Sequence, residues 1–318
     1  MPSTRSILIL GAGELGAAIV TSLLAHPAYD PSKISLTLVV RPETLAALDA
    51  GTDLSSDKIK SLRAFRSRGL LLASTNLVSD PEESLTDLFR QYTCVIHAGA
   101  MTLPQGTQLK VSRAALTAEV EEYVPWQWGV DYDLIGVSGG LGLFAEQCEV
   151  RELLRAQNRT RWFILSCGVF MSFLLEEFWG VVVRDKDGKV SGVRALGGWD
   201  HKVTATTVED IARCNAELVL VNTQERNKAV YIAGDTMRYD EFADVVENAV
   251  GRKVRREVWT TGWLKERAKQ EPENKLWRYR VVFSEDRGLA WEKKGTYNDV
   301  KSIDMESIDA YVKRTRLQ

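Results

Sequence analysis

The sequence is short of histidine. Three occur in 318 residues, and His26, His97 and His201 share no metal-ligand spacing with one another or with a cysteine. A zinc or iron site is therefore not expected. The four cysteines, Cys94, Cys148, Cys167 and Cys214, include no C-x-x-C pair. In a chain of this length they read as the reduced thiols of a cytoplasmic protein. Neither sign of charge is in excess, since 41 Lys and Arg stand against 43 Asp and Glu for a net charge of −2. With no basic block to hold a polyanion, nucleic acid is not an expected partner. Long hydrophobic runs are also missing, and nothing approaches the ~20 apolar residues of a membrane span. The opening MPSTRSILILGAGELG passes from a short apolar run straight into glycines, without the small-residue cleavage site of a secretory signal. No membrane is expected either. What is there, 45% hydrophobic and 26% charged residues, suits an ordinary globular protein with a full core.

Through the first half, short apolar runs alternate with helical patterns. Strands are expected over 7–10, 36–40, 70–73, 94–97, 123–125 and 161–166. Helices are expected over 14–24, 42–49, 57–66, 82–92, 106–122 and 143–156. Such alternation implies an α/β fold, a doubly wound parallel sheet of the Rossmann kind with helices on both faces. After residue 168 the rhythm changes. A strongly apolar, aromatic stretch fills 170–180, and the runs 181–183 and 190–193 flank Asp185-Lys186-Asp187-Gly188, a hairpin signature. Helical patterns return over 208–221, 239–250 and 261–269.

Between the first strand and the first helix lies Gly11-Ala12-Gly13-Glu14-Leu15-Gly16, a G-x-G-x-x-G turn. Glycine patterns of this kind arise by chance, and a plain strand–helix turn is the bland reading. The setting is nevertheless the one a dinucleotide needs. Gly11 permits the tight turn, Gly13 lets a pyrophosphate approach the backbone, and Gly16 lets the helix pack on the strand. The helix N-terminus then offers free N–H groups and partial positive charge. Where an NAD site carries Asp or Glu at the end of the second strand, this chain has Val40-Arg41-Pro42. A guanidinium suits a 2′-phosphate, so NADP(H) is the expected cofactor. A region over 1–168 is expected to bind it, with a smaller C-terminal substrate region over 169–318 and segments near 203–235 packing back onto the first.

At this point the sequence resembles the NmrA-like, isoflavone-reductase-like branch of the atypical short-chain dehydrogenases, and its aromatic-rich fungal members most of all. The resemblance rests on the glycine turn, on Leu38-Val39-Val40-Arg41, and on Val95 to Ala100. It continues in Tyr123 to Asp131, similar to the family's F-x-P-S-E-F-G-x-D segment. Phe144 to Arg151 is similar to its F-x-x-K-x-x-V-R helix, and Ser166 to Phe170 to its G-x-F strand end. Thr207 to Ile211 and Tyr231 to Asp235 extend the match, so that it covers roughly residues 5–260. The resemblance implies an NADP(H)-binding domain, with Ala98, Gly99, Ala100, Gly168, Val169 and Phe170 along the cofactor. It also implies a reductase of aromatic secondary metabolites or a redox-silent regulator. One departure stands out: the family's reductases have Lys where this chain has Gln147. Gln donates a hydrogen bond to a carbonyl or to the nicotinamide ribose but supplies no proton at neutral pH.

The ordinary Tyr-x-x-x-Lys pair occurs twice, as Tyr29 with Lys33 and as Tyr297 with Lys301. Pro31 breaks any helix in the first, and the second lies far from the mid-chain helix, so both read as coincidence. Trp126, Gln127, Trp128, Asp131, Tyr132 and Asp133 cluster past a strand end, where open α/β sheets bind ligands. Tyr132 is a candidate proton donor and Asp131 a candidate to orient it, with capping of the turn after Gly129 as the structural alternative for Asp131. His97 and His201 read as structural. Trp126, Trp128, Phe173, Leu174, Phe178 and Trp179 are expected to form an apolar wall for a flat aromatic or polycyclic metabolite. Three readings follow: a reductase of a C=C, C=N or C=O group, an NADP(H)-bound cyclase or isomerase, and a non-catalytic sensor of the dinucleotide. A monomer or homodimer is expected in each case.

Overall fold

The computed structural model describes residues 5–53, 56–99, 103–222, 224–315 and 317. In chain order the elements begin with β1 (Arg5–Leu10), α1 (Glu14–Ala25), β2 (Ile34–Val40), α2 (Pro42–Asp49), α3 (Asp57–Ser67), β3 (Leu71–Ser74) and α4 (Glu82–Phe89). Next are β4 (Cys94–His97), α5 (Thr107–Thr117), β5 (Glu122–Val124), α6 (Tyr132–Ile135), α7 (Gly139–Gly142), α8 (Ala145–Arg155) and β6 (Arg161–Ser166). The second half runs through β7 (Val169–Phe170), α9 (Met171–Leu175), β8 (Val182–Arg184), β9 (Val190–Leu196), β10 (Lys202–Thr206) and α10 (Val208–Leu220). It ends with β11 (Lys228–Tyr231), β12 (Asp235–Arg238), α11 (Tyr239–Val250), β13 (Arg255–Trp259), α12 (Thr261–Gln270), α13 (Lys275–Ser284), α14 (Tyr297–Val300) and α15 (Ile308–Thr315).

Seven strands form one sheet in the order β11-β6-β5-β4-β1-β2-β3. The pairs from β6 to β3 are all parallel, with Ile7 opposite Leu36 on one side and Cys94 on the other. The chain winds outward from β1 in both directions, which is the doubly wound Rossmann arrangement. Central strands buried on both faces need continuous apolar runs, and Ile7 to Leu10 are each fully buried. The hairpin forms as its Asp-Gly turn requires. β8 pairs antiparallel with β9, Gly188 takes φ +79°, and the Asp185 side chain accepts the N–H groups of Asp187 and Lys189.

The residues group into two compact units that interleave along the chain and are nearly equal in length. The first comprises Met1–Gln127, Glu149–Ile164 and Ala212–Ala229, the second Trp128–Cys148, Leu165–Ile211 and Val230–Gln318. Within the first, a buried ion pair ties the late segment to the sheet. Arg226 donates to both oxygens of Glu122 at 3.0 Å, with the two side chains 5% and 2% exposed, and its guanidinium lies over the Phe163 ring. The second unit contains two smaller sheets, β12-β10-β7 and β13-β9-β8, around a core that includes Trp179, Val193, Tyr239, Phe242 and Val281.

Several elements differ from the sequence expectation. The helix expected over 106–122 stops at Thr117, because Glu119 takes φ +51° and Glu122 already pairs as β5. The short strands β7 and β10 to β13 carry no long alternating pattern. β13 pairs in parallel with β9 although its residues are mostly exposed and charged. α13 was also unforeseen, since its aromatic and basic residues follow no clear amphipathic stripe.

His97, the last residue of β4, is fully buried, and burial brings its imidazole down to about 3 from 6.5. It is therefore neutral in the native state, while the unfolded chain takes up its proton below about 6.5. Between those values the unfolded state binds more protons, so this group favours folding less as pH falls. Replacing His97 with Gln should reduce the loss of urea stability between pH 7 and pH 5 by ~2 kcal/mol. Equal losses in the two proteins would contradict the assignment.

Candidate active site

The glycine turn follows directly from β1. Gly11 takes φ +106°, and a Cβ there would meet the Ala98 carbonyl oxygen at 3.0 Å. At Gly16 a Cβ would stand 1.9 Å from the Gly11 carbonyl oxygen, so any side chain would drive α1 off the strand. Gly13 is different. It is the N-cap of α1, no side chain caps the helix, and a Cβ at Gly13 would meet nothing within 4 Å. Ala12 is half-buried, Gly13 and Glu14 are exposed, and Leu15 is buried beneath them. The open backbone at the positive end of a 12-residue helix fits a dinucleotide pyrophosphate.

The rest of that edge is built in the same unit. Ala98 donates its N–H to the Leu10 carbonyl at 2.9 Å, continuing the β1–β4 register. Gly99 is buried against the His97 ring, where a Cβ would lie 2.5 Å from Nε2. Ala100 lies outside the described residues. Arg41 stands between β2 and α2 as the N-cap residue of α2, its carbonyl accepting from Thr44 and Leu45. Its guanidinium is 71% exposed and 4.0 Å from the Glu43 carboxylate, which leaves it able to turn towards a phosphate. Gln127, fully buried, accepts from Arg151 at 2.9 Å, and Trp126 beside it is half-buried.

The second unit holds the expected catalytic residues. Asp131 caps α6: one carboxylate oxygen accepts the N–H groups of Asp133 and Leu134 at 3.0 and 3.2 Å. The other accepts the Tyr231 hydroxyl at 2.6 Å. Tyr132 is 2% exposed, with its hydroxyl against the Gly129 backbone and its ring edge-on to Phe144 at 4.8 Å. Asp131 thereby holds the segment after Trp128, itself 4% exposed, and Tyr132 is buried beside it. Gln147 is buried on α8, one turn beyond Phe144. The Gly129 carbonyl accepts from Cys167 and Gly168, and Gly168 takes φ +72° with its α-carbon pressed on the Thr204 carbonyl, where a Cβ would come within 2.0 Å. Val169 is buried, pairing with β10, and Phe170 is half-buried.

The expected aromatic wall forms a chain of ring contacts. Phe170 meets Phe173 at 5.6 Å, Phe173 meets Phe178 at 5.4 Å, and Phe173 lies 5.9 Å from Trp179. Phe178 is 39% exposed, whereas Leu174 and Trp179, at 1% each, belong to the core behind it. The sequence reading missed what stands behind that turn. On α13, Arg280 donates to the carbonyls of Trp179, at 3.0 Å, and Phe178. Its guanidinium lies 4.4 Å from the Trp277 ring and 5.3 Å from that of Trp259. Burial, with Arg194 nearby, lowers Arg280 to about 10, which still leaves it charged. The only sequence signal for this was the alternation of Trp, Tyr, Phe and Arg over 277–283. Among the described residues no group of His, Cys, Asp and Glu is arranged to hold a metal, and no helix is long and apolar enough to cross a membrane.

The chain is 38% identical, over 314 residues and 98% of both sequences, to an NmrA-like family domain-containing oxidoreductase of Gibberella moniliformis (strain M3125 / FGSC 7600). Among solved structures it is similar to AtPrR2 with NADP+ and (+)pinoresinol, at 20% identity and a TM-score of 0.75 over 98% of each chain. It is also similar to leucoanthocyanidin reductase from Vitis vinifera with NADPH, at 16% identity and a TM-score of 0.75, covering 98% of this chain and 100% of that one. At such identities the two structures share a fold. The description of the NmrA-like family matches residues 3–291, and the chain belongs to that family.

Proposed function

We propose that the protein is an NADPH-dependent reductase of a C=C, C=N or C=O group in an aromatic or polycyclic metabolite, of the kind found in fungal secondary metabolism. The observation that carries the reading is the open, uncapped start of α1 at Gly13, between two glycines that cannot carry a side chain. Arg41 is assigned the 2′-phosphate, and Gly11 to Gly16 with Ala98 and Gly99 the dinucleotide; Ala100, Gly168, Val169 and Phe170 are added on the resemblance to the family alone. When bound, NADPH supplies the hydride. The relative's name as an oxidoreductase, and the NADP+ and NADPH held by structures of the same fold, support this reading.

The exposed edge of the aromatic wall, Phe173 and Phe178, offers flat apolar surface with few charges, which suits an aromatic ring and not a sugar phosphate. Trp126 and Trp128 are assigned to the same substrate. Leu174 and Trp179 back the wall from the core. Gln147 is assigned the hydrogen bond to nicotinamide ribose or substrate carbonyl. Asp131 and Tyr132 serve it by fixing the segment that precedes α8, since both carboxylate oxygens of Asp131 already accept hydrogen bonds. Orientation of this kind lowers a barrier by up to ~7–11 kcal/mol without an acid. A second reading, an NADP(H)-bound cyclase or isomerase, is favoured by one observation, the Gln in place of the family's Lys.

Incubation with 4,4-dideuterio-NADPH, labelled on both faces, and a panel of aromatic aldehydes, quinones and iminium salts tests the two. Deuterium in the product supports the reductase. Product formed with all label retained in the cofactor supports the isomerase, and binding of NADPH without any turnover would contradict both. Gly13→Ala should keep the wild-type melting temperature, because its Cβ has room, yet weaken NADPH binding at least ~10-fold. Gly16→Ala should instead lower the melting temperature by several degrees. Arg41→Ala should lose ~10-fold or more in NADPH affinity, about 1.4 kcal/mol, with NADH binding unchanged in calorimetric titration. An equal loss for both cofactors would remove Arg41 from the 2′-phosphate.

A further inference from the structure

Helix α13 carries an aromatic residue outside the run that the sequence marked as a substrate wall. The Tyr279 ring meets Phe144 edge-on with centroids 5.6 Å apart, and lies 6.3 Å from Trp179. Phe144 immediately precedes α8, the helix that carries Gln147. Trp179 packs on Phe173, which in turn meets the exposed Phe178. Tyr279 therefore joins the aromatic wall to the start of the Gln147 helix, all within the second unit.

Its oxygen distinguishes it from other phenols of that unit. The Tyr231 hydroxyl is spent on Asp131, that of Tyr132 is pressed on the Gly129 backbone, and Tyr239 is 1% exposed in the core. Tyr279 is only half-buried, and its hydroxyl has no hydrogen-bond partner among the described residues. The Tyr239 oxygen is buried with no partner among the described residues, whereas that of Tyr279 is not buried in this way and can be reached by a molecule from solution.

We propose that the Tyr279 hydroxyl is a substrate-binding group, the hydrogen-bond donor that seats an oxygen of the aromatic substrate, such as a carbonyl or quinone oxygen, against the wall. The assignment rests on the reading of the protein as an aromatic reductase, and adds to it the polar feature the substrate must carry. Burial pushes the phenol up to about 12, so it keeps its hydrogen through the neutral range. The same shift makes it a poor proton source, and its part is to orient and polarise the acceptor oxygen. A fixed donor of this kind complements Gln147, which brings an amide where the family's reductases bring a charged amine.

Tyr279→Phe removes one oxygen and keeps the ring contacts with Phe144 and Trp179, which makes it a clean probe. Equilibrium dialysis of the NADP+-loaded protein would compare 2-naphthaldehyde with 2-methylnaphthalene, and cinnamaldehyde with trans-β-methylstyrene. The aldehydes should bind roughly five- to tenfold more weakly to Tyr279→Phe than to wild type, the worth of one hydrogen bond. The hydrocarbons should bind both proteins alike, and the melting temperatures should coincide. Aldehyde affinity unchanged by the substitution, or an equal loss for aldehyde and hydrocarbon, would overturn the proposal. If wild type holds no member of either pair, it is the aromatic-substrate reading itself that falls.

Discussion

The close approach of α1 to β1 is the contact on which the first unit depends. At Gly16 the helix backbone comes so near the Gly11 carbonyl that a single methyl group would occupy the same space. Gly13, the N-cap of that helix, stands exposed directly after the strand and its turn. A helix N-terminus of this kind favours an anion beside it. The left-handed turn at Gly11, the small Ala98 and the buried Gly99 are consequences of the same crowding: the backbone beside the turn has to stay thin.

The second unit solves a different problem. It has to hold a glycine-rich stretch after Trp128 and an aromatic turn at 178–180 in fixed positions. Asp131 does the first by capping α6 and binding Tyr231, and Arg280 does the second by donating to the Phe178 and Trp179 carbonyls. A guanidinium buried among indoles with no carboxylate at ion-pair distance among the described residues costs desolvation energy, and carbonyl hydrogen bonds, ring faces and the more distant Glu271 charge offset part of it. The result is an aromatic surface with Phe178 exposed at its edge and the half-buried Tyr279 ring against Trp179.

The fold was legible in the sequence wherever a strand is buried on both faces. Ile7 to Leu10 and Cys94 to His97 read as strands because nothing polar interrupts them, and the glycines after Leu10 read as a phosphate turn because strand and helix flank them. Exposed or two-residue strands such as β13 and β7 left no periodic signal, since their pairing is decided by distant partners. The glycines of the turn were legible for the same reason as the strands: their spacing is set by local backbone geometry. Asp131 was ambiguous in one dimension, and the structure shows the capping alternative, with both carboxylate oxygens accepting hydrogen bonds, while Tyr132 is buried with its ring on Phe144. Tyr279 could not be singled out from the aromatic and basic run around it, because its significance lies in contacts with Phe144 and Trp179, a hundred or more residues away in the chain.

The central claim is that the open end of α1 receives the dinucleotide. Hydrogen–deuterium exchange of the protein with and without NADP+ tests it at the backbone itself. The account predicts slowed exchange concentrated at the amides of Gly13 to Gly16, with a second protected segment beginning at Arg41. Protection confined to other parts of the chain, or no change at Gly13 to Gly16 at saturating NADP+, would contradict it.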